Sequence, residues 1–545
     1  MDEEENKEKV EDQRIKSISE IVGESFKELK ETFLAFVKAP KALWGINVPY
    51  VLEGLVYFGI LTELGKFCSE NVGLTDPQAG LIYSFVTGGI TFSMLLLGGY
   101  SDKIGVRKSL FISFLVFLVA RVVIAFSGTL HMSTGLWSPM FFTMNGGLFL
   151  MVAAYGLYQP AAYAGVKRYT TPKTAAMAYG AIYGFMNLGA FFSGFISSLT
   201  RQHFVDIFPP NGLTAVFWVF AGITFIALLV TVILLSKKTD KAAVAKVKEE
   251  LKKEGAADED EDEEDQKPKI KINNIPLIIY AILTLLFFLF SGLGFNNPLN
   301  FTKSFNLFGL DIDFDLFFVI AVIFFVIAIY EFLNKRPHHP FRDKRFSFFI
   351  FILIPVQTLF AHNWLTIPYY LNRAFPAGSL ASQYYEVFAN INPILIFILA
   401  PLIAGLTTKA NVYRMMILGT TVMAIPTFLL SVGPNLYLFL LYVLISTIGE
   451  AMWQPRFLQW IAEVAPKGMT GLYMGVGQFP WFLTKVITGF YSGWFLMQYC
   501  PINTPPSEMN TGFMWFIYGL IAIITPIGLV LTRKWMLKGF KLKAK

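Results

Sequence analysis

Charge is what this chain has little of. Only 15% of its 545 residues are Asp, Glu, Lys or Arg, whereas soluble domains carry roughly a quarter. An ordinary water-soluble fold is thereby excluded. Cysteine is almost absent: Cys68 and Cys500 are too few for a thiolate metal site, and no disulfide framework is expected from them. With only five histidines and no cluster of His, Cys and carboxylates, no metal-ligand set is expected and no cofactor. There is no G-x-x-x-x-G-K-[ST] loop, which excludes a pump built on that nucleotide-binding motif. No apolar run precedes about Leu43, so the chain reads as one without a cleavable leader.

What it has is apolar length. Hydrophobic residues make up 54% of the chain, including 55 phenylalanines, and they fall in runs of about 20, the length a helix needs to cross a bilayer. Six runs lie at 44–67, 79–99, 108–127, 141–166, 175–199 and 213–236. Two plainer ones, 274–296 and 314–333, are almost free of polar residues. Six more occupy 346–371, 388–407, 412–431, 436–463, 470–497 and 512–534. The expected fold is an all-α integral membrane protein of about 14 spans. Its expected parts are a 1–40 cytoplasmic segment, a 41–236 six-helix bundle, a 237–272 charged linker, a 273–334 inserted helix pair, a 335–538 six-helix bundle and a 539–545 basic tail.

Within the first part, Ile15, Ile18, Val22, Phe26, Leu29, Phe33 and Phe36 recur at helical spacing between Lys and Glu. They read as an amphipathic helix, either on the membrane surface or packed on cytoplasmic loops. The acidic block Asp258 to Asp265 reads as solvated linker.

Basic residues fix the expected orientation. Lys103, Arg107, Lys108, Lys167, Arg168, Lys173, Arg342, Lys344, Arg345, Lys409, Arg414 and Lys467 fall on one side, against only Lys66, Arg201, Lys303 and Arg373 on the other. By the positive-inside rule both termini are cytoplasmic, and a plasma (inner) membrane, multi-pass, is the expected location. The net charge of +7 is explained by these turns, and no nucleic-acid module is present.

The turn between the second and third spans reads Gly98-Gly99-Tyr100-Ser101-Asp102-Lys103-Ile104-Gly105-Val106-Arg107-Lys108. Its form, G-x-x-x-D-x-x-G-x-R-K, resembles the signature loop of the major facilitator superfamily. A fainter copy follows at Gly405 to Arg414, and two copies in corresponding places imply a duplicated bundle. The resemblance implies the major facilitator fold of two six-helix bundles, here with an inserted pair. Asp102, Arg107 and Lys108 are expected to gate, latching a helix end in one conformation, or else only to fix topology.

Ionisable groups inside a span are costly, ~2.5–3.5 kcal/mol on insertion scales, and mark functional positions. Tyr50, Glu53 and Tyr57 share one helix face, as do Tyr155, Gln159 and Tyr163, and then Tyr179, Tyr183 and Asn187. In the second half, His362 lies in a stripe with Thr358 and Thr366, while Glu450, Trp453 and Gln454, then Gln478, Trp481 and Lys485, cluster on two later spans. We expect Glu53, Glu450 and His362 to handle protons. Tyr50, Tyr57, Gln159, Tyr183, Asn187, Trp453, Gln454, Trp481 and Lys485 are expected to contact solute. Arg121 and Arg456 read either as functional or as helix clamps. A cavity lined by tyrosine and tryptophan with a few ionisable groups suits a polar or zwitterionic organic solute.

Ile182-Tyr183-Gly184-Phe185-Met186-Asn187-Leu188-Gly189-Ala190 resembles the fifth-helix stretch of the proton-dependent oligopeptide transporters. Gly449-Glu450, Gln454-Pro455 and Ala465-Pro466 resemble that family's tenth helix and the turn after it, and the inserted helix pair is similar to that of its bacterial members. Two departures stand out. The family's first-helix arginine, which engages a peptide carboxylate, corresponds to Gly54, and its fourth-helix lysine corresponds to Gln159. In the family that lysine pairs with the tenth-helix glutamate, so Glu450 is expected to take Lys485 as its partner instead.

The expected activity is secondary transport of a small polar or zwitterionic solute, peptide-like compounds included, by alternating access with proton symport. Its expected partners are that solute, protons and the lipid bilayer, and the protein is expected to be a monomer. The rivals are a uniporter or exporter of a non-peptide solute and a membrane sensor that kept the fold. An intramembrane enzyme is not expected, because Glu, His and Lys lie on separate spans.

Overall fold

A computed structural model describes Gly23 and residues 40–253, 275–291, 302–307, 310–337, 339–407, 410–465 and 470–538. The chain divides into two units, Met1–Ala257 with Ile350–Lys545, and Asp258–Phe349. The first unit opens with six helices: α1 (Lys41–Lys66), α2 (Asp76–Ile104), α3 (Val106–Thr129), α4 (Pro139–Arg168), α5 (Pro172–Phe204) and α6 (Leu213–Leu234). A short helix α7 (Lys237–Lys253) follows. Within the second unit, α8 (Ile275–Leu289), β1 (Thr302–Leu307), β2 (Leu310–Asp315) and α9 (Leu316–Asn334) come in order, and α10 (Lys344–Ile352) runs from this unit back into the first.

The second half of the first unit is more broken. It comprises α11 (Ile354–Leu365), α12 (Ile367–Arg373), α13 (Leu380–Gln383), α14 (Tyr385–Ala389), α15 (Ile391–Leu406), α16 (Val412–Ala424), α17 (Leu436–Val464), α18 (Thr470–Gly477), α19 (Phe479–Tyr499) and α20 (Thr511–Leu537). Three of the breaks precede Pro355, Pro368 and Pro480, each of which lacks the N–H that a continuous helix would need.

Among the described residues, eleven helices are long and apolar enough to cross a membrane. All the expected spans coincide with helices or with such interrupted runs. In the first span of the inserted pair the described helix runs Ile275–Leu289, and 292–296 lie outside the described residues. Its turn carries an antiparallel hairpin with Thr302 opposite Asp315 and Leu307 opposite Leu310, which the apolar pattern did not announce. The pair itself is stacked through Phe287 and Phe324, rings 5.6 Å apart.

The 237–272 stretch differs from a wholly solvated linker. Its first part is α7, whose Ala243 is buried and whose Asp240 accepts from the Tyr169 hydroxyl at 2.8 Å and from Arg168 Nε at 3.1 Å. The amphipathic segment 15–37 (apart from Gly23), the acidic block 258–265, Lys409 and the 539–545 tail lie outside the described residues.

Local chemistry sets the helix starts. The Thr75 hydroxyl accepts from Gln78 N while the Gln78 side chain accepts from Thr75 N, a reciprocal cap on α2. Ser138, Asn411, Asn435 and Asn510 cap α4, α16, α17 and α20 through their side-chain oxygens. In the signature turn Gly105 has φ +83°, with open space where a Cβ would stand. The turn therefore needs glycine there for its left-handed backbone rather than for close helix approach.

Small residues elsewhere do bring helices together. A Cβ on Gly54 of α1 would stand 3.1 Å from the Met186 backbone of α5. A Cβ on Gly449 of α17 would meet the Gly419 carbonyl of α16 at 2.7 Å.

Candidate functional site

Glu53 of α1 is fully buried, and so is the residue that neutralises it. Arg121, from the middle of α3, meets both carboxylate oxygens, Nη1 to Oε2 at 2.7 Å and Nη2 to Oε1 at 2.5 Å, and also reaches the Thr224 hydroxyl of α6 at 2.5 Å. The Tyr155 hydroxyl of α4 donates to Glu53 Oε1, and the guanidinium lies 4.7 Å over the Phe117 ring. A planar guanidinium matches a carboxylate bidentately, so four helices converge on this one charge pair. Arg121 is thus a clamp, the second of the two readings its sequence position allowed.

Beside this pair lies a cavity of about 290 Å³ between the two halves of the first unit. Tyr50, Glu53, Tyr57, Gln159, Tyr183 and Asn187 line it from the first half, and Glu450, Gln454, Trp481 and Lys485 from the second. All ten are residues that the sequence singles out. Gln159 Nε2 donates to the Tyr50 hydroxyl at 2.9 Å, so this amide organises a tyrosine. The Tyr183 hydroxyl lies 3.5 Å from Gln454 Oε1 across the cavity.

Trp453 and His362 do not line the cavity. Trp453 is buried behind Trp481, rings 6.3 Å apart and nearly parallel. His362 is hydrogen-bonded to Thr366 at 2.7 Å and to Tyr491 at 2.9 Å, and its ring stacks on Tyr518 at 3.9 Å. The cause is a rotation of the face. α11 presents Gln357, Phe360, Ala361 and Trp364 to the cavity, which turns the Thr358–His362–Thr366 stripe into the second half's own core.

The expected Glu450–Lys485 ion pair is not formed. Both side chains reach the same cavity, but Glu450 Oε2 accepts from Asn392 Nδ2 at 2.8 Å. That same amide also donates to the Thr447 hydroxyl at 3.0 Å. Asn392 escaped the sequence reading; its signal was an Asn-Pro step inside an otherwise apolar span.

Polar links between the halves gather at the end where α1 stops and α2 starts. Arg373 of α12 grips Asp76 of α2 through both oxygens at 2.6 and 3.0 Å. Arg201 of α5 pairs with Glu386 of α14. Lys66 Nζ donates to Asn372 Oδ1 at 2.5 Å, Tyr385 donates to Glu63 at 2.8 Å, and Asn390 donates to Thr62 at 3.1 Å. Beneath this latched end, Phe58 of α1 packs on Trp364 of α11, rings 5.2 Å apart, and both line the cavity.

At the opposite end, Arg107 and Lys108 edge a second cavity with Phe111, Thr231 and Val232. The Asp102 side chain lies outside the described residues.

Residues 46–382, more than half of the chain, match the family model described as Major Facilitator Superfamily. Among solved structures, a POT family transporter in complex with a thioalcohol-conjugated peptide is similar at 16% identity and TM-score 0.60, over 92% of this chain and 97% of that one. A POT family transporter in complex with 5-aminolevulinic acid gives 15%, 0.58, 92% and 97%. A bacterial homologue of the human drug peptide transporters gives 17%, 0.59, 91% and 98%. None of the curated proteins compared matches in sequence.

Proposed function

Since the chain belongs to the major facilitator superfamily, and is a multi-pass membrane transporter rather than an enzyme, we propose that it moves a small zwitterionic organic solute by proton-coupled symport. The observation that carries this reading is the charge pattern of the cavity. Glu53 is neutralised within the protein by Arg121, whereas Lys485 and Glu450 face the same space without pairing to each other. An ammonium and a carboxylate group on one solute complement such a pair, and the surrounding tyrosines and Trp481 cover its apolar parts. Two of the solved neighbours hold a thioalcohol-conjugated peptide and 5-aminolevulinic acid, the second an amino acid with both groups.

Glu450, held by an amide and not by a cation, is the cavity carboxylate suited to carry the coupled proton; symport requires that it stay protonated while solute crosses, meeting the solute ammonium as a neutral hydrogen-bond acceptor. Glu53 is structural in this reading. The basic turns put the Gly105 end inside, together with both termini, and a plasma (inner) membrane suits that orientation. The latched end is then the outer one and the conformation is inward-facing. Rocking of the halves would break the latch and expose the cavity to the other side.

Thermal stability in detergent, measured with dipeptides, amino acids, nucleosides and simple sugars, tests the solute class, because a bound solute stabilises by RT ln(1 + [L]/Kd). Stabilisation by amino-acid-like or peptide zwitterions is expected. Stabilisation by sugars or nucleosides alone would overturn the reading.

A further inference from the structure

The latched end holds more carboxylates than cations. Among the described residues, Glu63, Glu70, Asp76 and Glu386 are met there by Lys66, Arg201 and Arg373. Each cation is already engaged. Arg373 holds Asp76 and Arg201 holds Glu386. Lys66 holds Glu70 at 3.0 Å and lies 4.5 Å over the Tyr385 ring.

Glu63 is left over. It is fully buried, its Oε2 accepts from the Tyr385 hydroxyl at 2.8 Å, and its Oε1 has no hydrogen-bond partner among the described residues. The groups facing it are Lys66 on its own helix, Tyr385 and Glu386 on α14, and Arg201 on α5. A charged carboxylate shut away with no cation of its own and a second carboxylate beside it is costly. A neutral carboxyl group carries no charge to desolvate and keeps its hydrogen bond with Tyr385.

We infer that Glu63 is a proton-binding site whose occupation closes the outer gate. This rests on the proton-coupled reading above and assigns the gate a proton site separate from the solute cavity. When the halves part, the carboxyl group meets water and ionises. When they close, α14 covers it, and closing takes up one proton from the outer solution onto a carboxylate oxygen; reopening releases one proton. One proton bound per closure lets the closed-to-open ratio fall by up to tenfold per pH unit over the range in which the group is ionised in the open state and still protonated in the closed one. Acid outside therefore drives the carrier inward-facing even before solute binds.

The test uses full-length protein carrying spin labels at Ser133→Cys and Ala377→Cys, both exposed and on opposite halves at the latched end, in liposomes across pH 5 to 9. In the otherwise wild-type protein the inter-label distance should lengthen as pH rises. Glu63→Gln, a neutral isostere, should stay at the short distance throughout. Glu63→Asp, whose carboxyl sits one methylene farther from Tyr385, should keep a pH response with a displaced midpoint. A pH response retained in Glu63→Gln, or an unmoved midpoint in Glu63→Asp, overturns the inference. Uptake separates this from the wider reading. Proton-driven accumulation with a pH-insensitive gate defeats the Glu63 assignment alone, whereas accumulation indifferent to a proton gradient defeats proton coupling itself.

Discussion

Arg121 Nη1 and Nη2 meet Glu53 Oε2 and Oε1 at 2.7 and 2.5 Å, joining α3 to α1 inside the first bundle. A carboxylate in the first span that reads from sequence as a proton carrier is therefore the acceptor of a buried guanidinium. Removing one partner of such a pair leaves the other charge stranded, typically at a cost of ~3–5 kcal/mol. Glu53→Gln should accordingly lower the melting temperature in detergent by several degrees. The double change Glu53→Gln with Arg121→Met should recover part of that loss, and strictly additive losses would contradict the pairing.

Glu450 and Lys485 share a cavity without touching, so their replacements should act independently on the apo protein. Glu450→Gln and Lys485→Ala are expected to change stability additively, within ~0.5 kcal/mol, and each to weaken solute binding. Asn392→Leu should perturb Glu450 more than loss of Lys485 does, because the amide is what holds the carboxylate. Thermal melts of these three variants and of the Glu450→Gln Lys485→Ala double variant, with and without solute, check the point.

The Asp76–Arg373 pair joins the halves at the latched end with both side chains almost fully buried. Arg373→Ala should shift the population toward an outward-open form, by a coupling of ~1–3 kcal/mol. Cysteine-reactive probes applied from outside would then label cavity positions such as Thr91→Cys faster than in wild type. Unchanged labelling would mean that the latch does not restrain opening.

Gly54→Arg, the residue that the first-helix resemblance to the oligopeptide transporters would put at this place, should not create an arginine site. Any side chain there pushes against the Met186 backbone at 3.1 Å, so α1 and α5 would have to separate. Reduced expression and a lower melting temperature are expected, with no gain in peptide binding.

Much of the fold was legible because crossing a bilayer imposes length and apolarity, and those are read one helix at a time. Tyr50, Glu53 and Tyr57, or Glu450 and Gln454, were likewise legible as cavity residues, since spacing of three and four puts them on one face. Partnership was not. Arg121 meets Glu53 across 68 positions of sequence, and Arg373 meets Asp76 across 297, so no local pattern could match them.

His362 shows the other limit. Its stripe was visible, but which way the stripe faces depends on how a proline-interrupted run is rotated, and α11 turns Phe360 and Trp364 to the cavity instead. Helix α7 was hidden for a third reason. Its charged composition reads as solvated, yet Asp240, bound to Tyr169 and Arg168, and the buried Ala243 tie it down.

The most direct test is uptake of a radiolabelled zwitterionic solute, chosen by thermal stabilisation, into proteoliposomes with an imposed proton gradient, acid outside. Wild-type protein should accumulate it above equilibrium, and collapse of the gradient with an uncoupler should abolish accumulation. Lys485→Ala should reduce uptake at least tenfold. Accumulation unaffected by the uncoupler, or wild-type uptake in Lys485→Ala, would contradict a proton-coupled carrier whose cavity reads its solute by charge.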